Sequence, residues 1–200
     1  MTGRAREDAP RDHLYHHGDL RRALLAEAVR AIGEAGPAAV SLRALARRAG
    51  VSHAAPAHHF GDKAGLLAAV AAEGYRLLAA DLARAWAEAG SFLDVGVAYV
   101  RFALERRSYF AVMFRPELYD PADPEVAAAR RAARALLYGP PDAVAGPPDV
   151  AREIGLAAWS LAHGFATLWL DGNLVAESAA DPEHLARAVL AHLERVTSDE

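Results

Sequence analysis

Two hundred residues, 53% of them hydrophobic, can bury a real core as one domain or two small ones, and the absence of cysteine removes disulfide and thiolate chemistry and fits a reducing compartment. The opening MTGRAREDAP carries charge but no apolar run, so it does not read as a secretory signal and a cytoplasmic protein is expected. The net charge of −4 argues against a nucleic-acid partner only until it is divided: residues 1–63 hold ten Lys/Arg against seven Asp/Glu, a balance of +3, and residues 64–200 hold twelve against nineteen, a balance of −7.

Taken in chain order, the sequence predicts an all-α fold of nine helices. Residues 1–14 form an arm whose Arg4, Arg6 and Arg11 are of the kind that enter a minor groove, although Glu7, Asp8 and Asp12 interrupt the charge. A first helix from about Asp19 to Ala35 sets Leu20, Leu24, Ala28 and Ile32 on one stripe and stops at Gly36-Pro37. Ser41 is a candidate cap for a second helix bearing Leu42, Leu45, Ala46 and Ala49. Gly50 supplies the turn, Val51 plugs the angle, and Ser52 is a candidate cap for a third helix through Phe60. Helix, turn and helix within about 20 residues is the helix-turn-helix arrangement.

Asp62 then caps a long fourth helix from Lys63 to about Ala89, with Leu66, Leu67, Val70, Leu77, Leu78 and Leu82 inward. Ser91 caps a fifth to about Arg107, Ser108 a short sixth to Phe114, and Asp123-Pro124 opens a seventh. Six of the ten residues from Gly139 to Pro148 are glycine or proline, which predicts a loop. An eighth helix, about Asp149 to Leu170, contains an apolar run from Ile154 to Leu170. That run falls short of the ~20 residues a membrane span needs and includes Ser160, His163 and Thr167, so a buried helix is expected. It is apolar nearly all round, and a final helix from Pro182 to Val196 covers one side only. A second subunit is therefore expected to complete a four-helix interface through Ala157, Ala158, Leu161, Ala162, Phe165, Leu185, Val189 and Leu193.

The order A-x-x-A-G-V-S from Ala46 to Ser52, with His59-Phe60 and Gly61-Asp62-Lys63 following, resembles the DNA-binding domain of the TetR family of transcriptional regulators. The resemblance covers roughly Tyr15 to Leu78. Farther on, MFRPEL from Met113 to Leu118 and WSLAHGF from Trp159 to Phe165 are similar to the C-terminal domain of the TetR branch named for its Trp and His-Gly residues. The resemblance implies a DNA-binding domain over residues 15–62, with its helix-turn-helix at about 41–60, and a ligand-binding and dimerisation domain over 63–200. The protein is then a homodimer on operator DNA, a repressor released by a small molecule, with no cofactor and no membrane partner.

In such an arrangement the third helix presents its outer face to base edges, and His53, Ala54, His58 and His59 are the candidates; the His53 ring can donate to guanine O6 or N7. By resemblance His59 and Lys63 are phosphate ligands, with Ser41, Arg43 and Ser52 around the rim. The chain departs from the family pattern at Pro56, which removes a backbone donor, and at Ala57, where relatives place a tyrosine that touches the DNA backbone. A ligand pocket is expected among helices four to eight, lined by some of Tyr99, Phe102, Phe110, Met113, Phe114, Trp159, His163 and Trp169. Helix four is the expected transmitter, touching the core through Leu77 and Leu82.

Two other classes carry less. A metal reading of His13, His16, His17 and His58-His59 fails on spacing, so no metal is expected. The alternative of an all-α binding protein or enzyme without DNA-binding activity finds no G-x-S-x-G, no glycine-rich phosphate loop and no H-E-x-x-H to support it.

Overall fold

The computed structural model describes residues 12–140, 147–174 and 181–198, with side chains from Leu20 onward except at 148 and 193–198. Most of the predicted arm, and the side chains of His13, His16, His17 and Leu193, lie outside the described residues. Nine α-helices and no strand are present among those described.

The N-terminal helices are α1 (Asp12–Ala35), α2 (Leu42–Arg48) and α3 (Ala55–Phe60). Helix α1 begins well before Asp19; the lead-in holds no proline, and its one glycine, Gly18, costs only ~1 kcal/mol in a helix interior. Gly50 (φ +67°) makes the turn after α2, and Gly61 (φ +74°) ends α3, both in the left-handed region that a side chain resists. Ser41 has the extended backbone of an N-cap, but its hydroxyl makes no capping bond. Ser52 does not cap α3. Its carbonyl instead accepts from Ala55 N at 3.1 Å in a separate turn, and the helix starts at Ala55, so Pro56 falls in the first turn, where its missing N–H is not required.

Helix α4 (Lys63–Glu88) follows, with Asp62 Oδ1 accepting from Gly65 N at 2.8 Å. Ser91 caps α5 (Phe92–Glu105) and Asp123 caps α7 (Pro124–Leu137). Ser108 is not a cap: α6 (Arg107–Met113) starts one residue earlier and encloses it. Helices α8 (Pro148–Leu170) and α9 (Pro182–Ser198) complete the chain. Helix α4 is the central post. Leu66, Leu67, Val70, Leu78 and Leu82 are fully enclosed by α1, α5, α6 and α7, while α8 lies on α5 and α9. No helix among the described residues is long and apolar enough to cross a membrane.

The apolar eighth helix has a definite inner face. Ala151, Ala158, Ala162, Phe165 and Ala166 are buried within the single chain, and of these Phe165 also lines the hollow between α8 and α9. The outward apolar stripe is Val150, Ala157, Leu161, Gly164 and Leu168, spaced by seven, four, three and four residues. With Leu185 and Val189 of α9, this stripe borders a shallow apolar hollow of about 370 Å³.

Candidate nucleic-acid interface and interior cavities

Ser41, Arg43, Ser52, His53, Ala54 and His58 are exposed on one end of the molecule, while His59 and Lys63 are half-buried beside them. The start of α3 at Ala55 places His53 in the preceding turn and not in the first helical turn. The His58 and His59 rings meet edge to face with centroids 5.6 Å apart. Lys63 Nζ donates to Ala38 O at 2.6 Å, which ties the start of α4 to the turn before α2. Phe60 is buried under the Arg21 guanidinium, 5.4 Å from the ring centroid, and packs as core.

One basic residue of this face escaped the sequence reading. Arg47 lies one turn beyond Arg43 on α2, exposed, and neither carries an ion pair among the described residues. The i, i+4 spacing was the available signal. Arg48, by contrast, is held by Glu34 at 2.7 Å and Glu27 at 3.3 Å, so its charge is compensated within the protein.

The other half contains two adjoining cavities. An inner one of about 230 Å³ lies between α4, α6, α7 and α8, with Leu78, Met113, Phe114, Leu137 and Trp159 in its walls and Arg130 and Arg134 at its rim. An outer one of about 410 Å³ lies between α6 and α8, with Phe110, Phe114, His163, Thr167 and both Arg107 and Arg115 along it. Phe114 belongs to both. Of the residues expected to line a pocket, Phe110, Met113, Phe114, Trp159 and His163 do so. Phe102 and Trp169 line neither cavity: Phe102 is fully buried in the core beneath Arg106, and Trp169 stacks on Phe165 at 6.0 Å. Tyr99 is buried behind the wall, its hydroxyl 2.7 Å from His163 Nδ1.

Hydrogen bonding fixes most of this wall and leaves one group open. The Tyr75 and Tyr119 hydroxyls both donate to Met113 O, at 2.7 and 2.6 Å, and burial pushes both phenols above their ordinary value. Burial likewise holds His163 below its ordinary value, so the imidazole is neutral at pH 7. Thr167 Oγ1 is buried with no hydrogen-bond partner among the described residues, and Trp159 Nε1 is buried without a hydrogen bond of ordinary geometry, although its N–H acts on the Tyr99 hydroxyl. Unpartnered buried donors are uncommon and costly, so Thr167 marks a place where a bound molecule can supply the missing acceptor. No group of three or more His, Cys, Asp or Glu among the described residues is placed to hold a metal.

Residues 24–70 match the model of the bacterial regulatory proteins of the tetR family, and residues 92–193, just over half of the chain, match the tetracyclin repressor-like C-terminal domain. The chain belongs to the TetR family. It is a DNA-binding transcriptional regulator of that family, and the matches support the family without supporting the narrower branch read from Trp159, His163 and Gly164. No curated protein matches it. Among solved structures it is similar to a protein of unknown function from Rhodococcus sp. RHA1, at 38% identity over 94% of this chain and 98% of the other, with a TM-score of 0.75. The TetR family regulator PfmR from Thermus thermophilus shares the fold at 23% identity, covering 86% of this chain and 97% of its own, TM-score 0.62. So does NalD, the secondary repressor of the MexAB-OprM multidrug efflux pump in Pseudomonas aeruginosa, at 21% identity, 90% and 96% coverage and TM-score 0.62.

Within this TetR chain, α6 is the element shared by the two halves. It packs on α1 of the DNA-binding end and on α4, and its Phe110 and Met113, with Phe114 just beyond, are cavity wall. Two glycines permit the approach. A Cβ on Gly33 of α1 would lie 2.9 Å from Ser108 Oγ, and one on Gly74 of α4 would lie 2.6 Å from Met113 Sδ.

Proposed function

We propose that the protein is a homodimeric repressor released from its operator by a small molecule bound in the α4–α8 half, with DNA-reading over residues 15–62 and ligand binding and dimerisation over 63–200. The observation that carries this reading is the position of α6, which lines both cavities at one end and rests on α1 at the other. A molecule wedged against Phe110, Met113 or Phe114 displaces α6, and through Ser108 and Gly33 that displacement reaches the helix that supports the reading head. His53, Ala54 and His58 read base edges, while Ser41, Arg43, Ser52, His59, Lys63 and Arg47 hold phosphates. The second copy docks on the outward stripe of α8 and on α9. The apolar α8–α9 hollow, edged by Leu161, Leu168, Leu185 and Val189, supports that face over any other described surface.

The absence of cysteine allows a clean test. Gly33→Cys with Ser108→Cys places two thiols within disulfide reach across the α1–α6 contact. DNA selected by this protein from a random pool is titrated by fluorescence anisotropy against the reduced and the oxidised double variant, with compounds from a metabolite library. Expected is equal DNA binding in both states, and release by an active compound only in the reduced one. Release unaffected by oxidation refutes transmission through α6. Failure of the wild-type protein to select any DNA sequence refutes the regulator reading itself.

A further inference from the structure

The inner cavity has a charge pattern that its surroundings do not explain. Residues 64–200 carry seven more acidic than basic side chains, yet no Asp or Glu lines this cavity, and its two charged residues are both arginines. Arg130 and Arg134 stand one turn apart on the same face of α7, exposed at the rim, and neither has an ion pair among the described residues. Arg134 Nε donates to the Tyr138 hydroxyl at 2.9 Å, and the guanidinium lies 5.1 Å above that ring, which orients it and leaves its terminal amines available. Arg130 Nη2 reaches Pro121 O at 3.3 Å, and its charge acts on the Tyr75 and Tyr119 hydroxyls of the cavity wall, opposing the upward push of burial. Trp159 also lines the cavity, its N–H buried and acting on the Tyr99 hydroxyl behind the wall.

Two arginines at the rim of one apolar cavity supply guanidinium groups of the kind that recognise a carboxylate in planar, bidentate fashion. They repel a cationic ligand and leave a neutral one with nothing to neutralise them. The volume of about 230 Å³ lies below the ~300–1,000 Å³ of drug-sized sites and suits a small molecule. The outer cavity is less selective, since Asp171 lines it and Arg115 is already paired with Glu117 at 2.7 Å.

We propose that the inner cavity binds a small organic carboxylic acid as its anion, with the carboxylate at Arg130 and Arg134 and the apolar body against Leu78, Met113, Leu137 and the Trp159 ring. The consequence for DNA rests on the effector-responsive reading above; the binding itself does not.

The test is calorimetry on the intact protein with benzoate, phenylacetate and 3-phenylpropionate, beside their neutral amides and benzylamine. The acids bind, and the amides bind at least about 10-fold more weakly, as loss of a charge-assisted contact requires. Arg130→Gln with Arg134→Gln removes the charge at exposed positions, so the thermal melt is unchanged while acid affinity falls about 10- to 100-fold and amide affinity stays where it was. The Arg130→Lys/Arg134→Lys pair keeps the charge but loses the planar fork, so its acid affinity falls between that of the wild type and that of the double glutamine variant, which a merely structural role for the side chains would not predict. Amides binding as well as acids, no acid binding at low millimolar concentration, or acid binding indifferent to the double glutamine variant each overturns the assignment and leaves the regulator reading intact. Arginine-dependent acid binding that never alters affinity for the selected DNA keeps the assignment and overturns the effector reading.

Discussion

Leu168 gives the most direct test of which face of α8 meets the second subunit. It is 45% exposed in the single chain, whereas Ala158, one residue of the interface expected from sequence, is 5% exposed. Leu168→Glu therefore costs the isolated chain little, because the carboxylate stays in water. In a dimer closed over the α8 stripe the same carboxylate is buried without a partner. Stranding one buried charge costs about 3–5 kcal/mol, and a two-fold interface contains the residue twice, so the dimer loses about 6–10 kcal/mol, or four to seven powers of ten in its dissociation constant. Light scattering at micromolar concentration, with a far-ultraviolet melt on the same sample, separates the outcomes. Expected is a folded species of one chain for Leu168→Glu, a two-chain mass for the wild type, and loss of the folded state for Ala158→Glu. A two-chain mass for Leu168→Glu refutes the placement of the interface on this stripe.

The remaining expectations are briefer. His163 is held below its ordinary value of 6.5 by burial, so as pH falls through about 6.5 the unfolded chain takes up the proton first, and stability present above that pH declines below it; urea titrations from about pH 7.5 to 5.5 should show a shallower decline in His163→Gln. A Cβ at Gly155 would lie 2.8 Å from Tyr138 Cα and 2.9 Å from Tyr138 O, backbone atoms that cannot step aside, so Gly155→Ala should cost a net ~1–2 kcal/mol and lower the melting temperature by several degrees despite its better helix propensity. Lys63→Ala should weaken binding to all DNA alike and reduce the salt slope by about one, whereas His53→Ala should relax sequence preference with the slope nearly unchanged. Anisotropy titrations over a salt series check both, and the reverse pattern would refute the sorting of phosphate from base contacts.

What the sequence made legible follows from how local each signal is. Gly50, Gly61, Asp62 and Ser91 act on the backbone within a few residues, and the turns and caps read from them are present. Proline is harder to read: Pro56 signals a helix start as readily as a break, and only the turn at Ser52–Ala55 decides between them. Helix α8 is recognisable as a helix but not in its rotation, since a segment apolar on every side has no phase of its own. Packing within the chain buries Ala158, Ala162 and Phe165 and leaves Leu161 half-buried and Leu168 exposed. The cavity shows the same limit. Phe102 and Phe110 are both aromatic and eight residues apart, yet one is sealed in the core and the other faces a cavity. Tyr99 and His163 meet from 64 residues apart, with nothing local to foretell the pair.

The packing also revises how a ligand would act on DNA. Helix four alone is the transmitter expected from sequence, and it does join the two halves, but its buried face is clamped by α1, α5, α6 and α7 together, so it cannot tilt without moving its neighbours. Helix α6 is under less constraint, with seven residues, half-buried Tyr109 and Phe110, and two glycine-permitted contacts, Gly33 to Ser108 and Gly74 to Met113. Close-packed contacts of this kind transmit small shifts because neither side has slack. On the proposed reading, a ligand in the inner cavity would press on Met113 and Phe114 at one end of α6 and thereby change the fit at Ser108 near the other. Coupling of about 1–3 kcal/mol changes operator affinity by roughly 5- to 150-fold. The same coupling must then appear in reverse, with the selected DNA weakening the ligand by an equal factor. The oxidised Gly33→Cys/Ser108→Cys variant should reduce both factors together, because a single contact cannot carry the free energy in one direction only.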